Sequence, residues 1–139
     1  LEDLVTAAEG MTVLRTQEPS FTIDGLVFDP YVIDRDRDRW RKGKRTLENA
    51  CAHYGVRIDN AHEATSDALA AARLAWVMTK KTWPELADMP GDELMEYQAL
   101  AHHERQADLR DYLARKGEDV SKFVVGGWPT DEIRRPVGA

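Results

Sequence analysis

The chain has 139 residues, 42% of them apolar and 32% charged, with a formal net charge of −6. That length suits one globular unit with a substantial core. No apolar run reaches the length of a membrane span, so no membrane partner is expected, and the acidic balance argues against a protein that coats nucleic acid indiscriminately. Cys51 is the single cysteine, which rules out an internal disulfide and suits a reducing, cytoplasmic setting.

Residues 3–17 place Leu4, Val5, Ala8 and Met11 at helical spacing, with Gly10 weakening the helix and Pro19 closing it. Phe21-Thr22-Ile23 and Leu26-Val27-Phe28 flank Asp24-Gly25, a strong short signal for a hairpin. Strand tendency continues through Tyr31-Val32-Ile33, interrupted at Pro30. The next stretch, residues 34–45, is almost wholly charged with alternating signs, as in a solvated loop or helix surface. Thr46 is a natural N-cap, with Asn49 at the third helical position, and the helix should reach Tyr54 and end on Gly55. Its apolar stripe is Leu47, Ala50, Cys51 and Tyr54.

A second, Ala-rich helix should start near Thr65 or Ser66, placing Asp67 in its first turn, where the helix dipole favours a negative charge. Leu69, Ala72, Trp76 and Lys80 trace one face, and Ala68, Ala71, Ala75 and Met78 a neighbouring one. Trp83-Pro84 should end it. Asp92 is expected to cap a last long helix that Gly117 closes, with Leu94, Tyr97 and Ala101 facing inward early and Leu109, Tyr112 and Leu113 later. Disorder is expected from Ile133 onward.

His62 and Asp67 are the pair with chemical potential. Within one helix, five residues would separate them by about 140°. With His62 in the preceding loop and Asp67 in the first turn, both can face one pocket. A carboxylate there can hold a divalent metal against a phosphate, and an imidazole can take a proton from an attacking water. A bare His-x4-Asp is common by chance, and one Asp does not make a two-metal site. The basic strip from Arg35 to Arg45, above all Arg39, Arg41, Lys42, Lys44 and Arg45, could grip phosphates, and Trp40 could stack on a base. The competing reading is a solvated surface whose charge is cancelled by Asp34, Asp36 and Asp38. His102 and His103, about 100° apart on a helix, do not chelate together.

The order of these features carries a resemblance. Asp29-Pro30 is followed by a basic linker, then by Lys44-Arg45-Thr46-Leu47-Glu48-Asn49-Ala50-Cys51-Ala52-His53-Tyr54-Gly55-Val56. After a short loop comes His62-Glu63-Ala64-Thr65-Ser66-Asp67-Ala68-Leu69-Ala70-Ala71. Over roughly residues 22–80 this resembles the third-motif region of the DEDDh 3′–5′ exonucleases, the family of the DNA polymerase III epsilon proofreading subunit. The resemblance implies an α/β fold, here the C-terminal part of a ribonuclease H-like exonuclease domain. It would be helix-rich, with a short strand or hairpin near residues 21–33. It implies domains at 1–83 (exonuclease-like half) and 84–139 (helical extension with an apolar C-terminal arm). It also implies His62 as general base, Asp67 as a ligand of Mg²⁺ or Mn²⁺, and single-stranded DNA or DNA 3′ ends as substrate.

The family's Asp-x-Glu first motif is not found in this chain, and Gly10 occupies the position where the second-motif Asp would fall. Two expectations follow. One is a metal-dependent exonuclease, completed by missing segments, a partner chain or self-association. The other is a catalytically inactive derivative kept as a binding or structural subunit.

Overall fold

Asp29-Pro30 begins a helix. In the computed structural model, which describes residues 25–130, α1 spans Pro30–Arg37. Asp29 Oδ1 accepts the backbone N–H of Tyr31 at 3.1 Å and of Val32 at 3.4 Å. Proline fits the first helical position because its missing N–H would have no intrahelical acceptor and its φ is already helical. Cap and proline together outweigh the β preference of Val32 and Ile33.

This overturns the expected α/β architecture. The described residues form helices and irregular segments with no strand or sheet among them, so the fold is not ribonuclease H-like. Where a strand or hairpin was expected near residues 21–33, residues 25–29 are irregular and α1 follows. Residues 21–24, the helix expected at 3–17, the Gly10 position and the segment from Ile133 lie outside the described residues.

Helix α2 (Leu47–Tyr54) has the predicted ends. Thr46 Oγ1 accepts the Asn49 N–H at 3.2 Å, and Gly55 sits in the left-handed region at φ 71°. Helix α3 (Ala64–Val77) starts one residue ahead of the expected range, with Glu63 at its cap position. It runs into a π-helical turn, Met78–Thr82, where the Trp83 N–H reaches back five residues to the Met78 carbonyl. Helix α4 (Glu85–Asp88) is a single turn, and α5 (Gly91–Arg115) is the long last helix.

The buried face of α3 is Ala70 and Leu74, continued by Met78 at the start of the π-helical turn, one step of four each time. Leu69 and Trp76, which trace a different face, are about half exposed. In α5 the inward positions hold early, at Leu94 and Ala101, but Leu109 and Tyr112 stand exposed. The C-terminal half of α5 extends past the helices that cover its first half.

Helix α1 sits at the centre. Three consecutive residues are buried: Val32, Ile33 and Asp34. At about 100° per residue they occupy more than half the circumference. Val32 packs with Met95, Ala99, Ala101 and Trp128. Ile33 packs with Met78, Leu86 and Leu94. A third cluster, Ala50, Cys51, Ala70 and Leu74, joins α2 to α3, and Tyr54 borders both it and the Ile33 cluster. Burial raises the Cys51 thiol pKa, so this cysteine packs as a small apolar group. No helix among the described residues is long and apolar enough to cross a membrane.

Candidate nucleic-acid interface

The charged stretch divides into cations that turn inward and cations that stay on the surface. Asp34 is only 2% exposed. Arg41 donates to both its carboxylate oxygens, at 2.7 and 2.9 Å, and Arg45 adds a third bond at 2.9 Å. The Tyr54 hydroxyl donates to Oδ1. Arg45 also donates to the backbone carbonyls of Asp38, Arg39 and Arg41, which fixes the turn after α1. Burial pushes the Asp34 pKa up, but the bonds from Arg41, Tyr54 and Arg45 and the Arg41 charge outweigh it, leaving the carboxyl below its ordinary value. Arg41 and Arg45 therefore hold the fold before they hold anything else.

Arg39, Trp40, Lys42 and Lys44 are exposed. Trp40 is 83% exposed, and the Arg39 guanidinium lies 5.0 Å from its ring centroid. Arg39 also pairs with Asp108 of α5 at 3.1 Å. Both partners are about half exposed, so that pair is readily exchanged for another anion.

Of these, Arg39 and Lys44 border a shallow cleft of about 620 Å³. Arg35, Arg39, Lys44 and Arg105 line it together with the inward-turned Arg41 and Arg45, and no described carboxylate does. Arg35 donates to the Tyr31 hydroxyl at 2.8 Å and stacks over that ring at 5.1 Å. The N-terminal end of α2 closes one side through Thr46. Lys42 does not line the cleft. Tyr31, Arg35, Arg39 and Arg105 also line a wider groove of about 1100 Å³ between α1, the C-terminal half of α5 and residues 127–130.

His62 and Asp67 do meet, but through the backbone: the His62 N–H donates to Asp67 Oδ1 at 3.1 Å. His62 takes a positive φ of 74°, which histidine tolerates better than most residues. Its imidazole is largely exposed, with Nε2 3.5 Å from Glu48 on α2. Asp67 thus closes the loop into α3. The divalent metal implied by the resemblance would need ligands beyond these two residues. One Asp67 oxygen is engaged by the backbone, and among the described residues no group of three or more His, Cys, Asp or Glu is placed to hold an ion.

Comparison with models of known families, with curated proteins and with solved structures gives no match. The site therefore rests on its own geometry. Arg35, at the start of the basic strip, belongs to it, as do Tyr31 and Arg105, which the sequence did not single out. Tyr31 and Arg35 are four apart, a helical signal that a strand reading of this segment hides. Arg105 is brought in from α5, and nothing local to it marks a role.

Proposed function

We propose that this chain binds single-stranded DNA, with the phosphate backbone lying in the cleft formed by α1, the turn before α2 and α5. The observation that supports this reading is a concave surface lined by Arg35, Arg39, Lys44 and Arg105 without a carboxylate. On a chain of net charge −6, such a local concentration is a specific anion site and not a general stickiness. Arg35, Lys44 and Arg105 have no carboxylate partner among the described residues. The N-terminal turn of α2 adds its dipole on the same side, and Trp40 offers a face for a neighbouring base.

The test is fluorescence anisotropy of a labelled oligothymidylate between about 50 and 200 mM salt. Three or four phosphate contacts give a slope of log K against log salt of about −2 to −3 for a single strand. Lys44→Ala and Arg105→Ala should each flatten it by about 0.7, while Lys42→Ala, outside the cleft, should change it less. Binding indifferent to salt, or unaltered in both cleft variants, sinks the reading.

A second reading keeps hydrolysis. It is favoured by one observation, the adjacency of His62 and Asp67 at the start of α3, with Glu48 of α2 against the imidazole. It requires carboxylates from outside the described residues or from another chain. The same DNA, labelled at its 5′ end and incubated with Mg²⁺ or Mn²⁺, discriminates. Stepwise 3′ shortening that is lost in His62→Ala and in Asp67→Ala supports an exonuclease. Intact DNA alongside salt-dependent binding supports the non-catalytic derivative.

A further inference from the structure

The wider groove differs in character from the cleft it joins. Its walls mix arginines with carboxylates, Asp36, Glu104 and Asp108 among them, and with the exposed rings of Tyr31 and Tyr112. A phosphate gains little there, because the nearby carboxylates oppose it. An uncharged aromatic ring with a polar edge suits it well, since it can lie against tyrosine and avoid the charge conflict. At about 1100 Å³ the groove is at the upper end of small-molecule pockets, with room for a base and its sugar. Tyr31, Arg35, Arg39 and Arg105 line both spaces, so a strand with phosphates in the cleft can turn a base into the groove.

Resting on the phosphate-binding reading of the cleft, we infer that the groove between α1 and α5 is a seat for an unpaired nucleobase of the bound strand. Its face lies against the exposed rings of Trp40 and Tyr112 in the groove wall. The seat separates two contributions to affinity, charge in the cleft and base contact in the groove.

The experiment compares a short oligothymidylate with an abasic oligomer of equal length and charge, by anisotropy across a salt series. The abasic strand should bind at least about tenfold more weakly, the loss expected for one stacked base, with the same salt slope. Trp40→Ala and Tyr112→Ala each remove an exposed ring that lines the groove and not the cleft. Each should narrow the preference for the base-bearing strand without altering the slope. Equal binding of both strands with the slope intact overturns the base seat and leaves the phosphate cleft standing. A preference that neither variant narrows also overturns the seat, since the base is then held elsewhere. Absence of salt-dependent binding to either strand overturns both proposals.

Discussion

Asp34 shows how one buried carboxylate decides what its neighbours do. Removing its charge from water costs several kcal/mol, and that cost is offset only by Arg41 on both oxygens, Arg45 and Tyr54. Asp34→Asn keeps the volume but leaves Arg45 without its carboxylate and Arg41 with Asp38 alone. It should destabilise the protein by about 3 kcal/mol in urea unfolding. The pH dependence has a definite sign. The folded Asp34 pKa lies below its ordinary value of 3.8, so its stabilisation is complete above that value and is lost as pH falls through the folded pKa. The stability gap between wild type and Asp34→Asn should therefore stay constant from neutral pH to about 5 and then shrink in more acid solution. A gap that grows on acidification contradicts this role for the Asp34 carboxylate. Arg41 and Arg45 illustrate the limit of reading charge from sequence: alternating signs suggested a solvated strip, and only the fold shows which arginines turn inward.

At the scale of elements, helix ends were legible and helix faces were less so. Thr46 and Gly55 bound α2 where their chemistry places them, because a hydroxyl cap and a residue free to take positive φ act locally. Gly55→Ala tests this cleanly. A Cβ there meets nothing within 4 Å, so the cost is the left-handed backbone alone, about 1 kcal/mol. A change in urea midpoint of that size with unaltered m-value is the expected outcome. Helix α3 misled for a plain reason: alanines at positions 68, 70, 71, 72 and 75 make several faces equally small, and tertiary contact chose Ala70 and Leu74. In α1 the error lay in treating Asp29-Pro30 as an interruption of a strand, when capping carboxylate and proline form a helix start.

At the scale of the whole molecule, Asp29 ties three distant segments. Its side chain caps α1 and accepts the Trp128 indole N–H at 3.1 Å, and its own N–H donates to Gln98 Oε1 at 2.7 Å. Gln98, fully buried, also donates to the carbonyls of Val27 and Leu94. Trp128 is 3% exposed within the Val32 cluster. Trp128→Ala should cost about 3 to 5 kcal/mol if the void persists, and less if the tail simply leaves. Limited proteolysis separates the two outcomes: early cleavage between Gly117 and Pro129, ahead of the helices, means the tail detaches as a unit. Protection equal to wild type would show that Trp128 is not its anchor. No local pattern could announce this knot, because its partners lie 69 and 99 positions from Asp29. The cleft was legible in part for the same reason. Its lysine and arginines on the 38–46 turn are a visible run, whereas Arg105 arrives from the far end of the chain.

Helix α5 is one unbroken rod of 25 residues, about 37 Å long at the usual rise. Its first half is set into the core through Met95 and Ala99, and its second half is a wall of the groove. With no joint between anchor and wall, the gap opposite α1 is gauged by core packing and stands preset before any guest arrives. The groove's other boundary, residues 127–130, belongs to no helix. That boundary is the side on which the groove can be unlatched without melting a single helical turn.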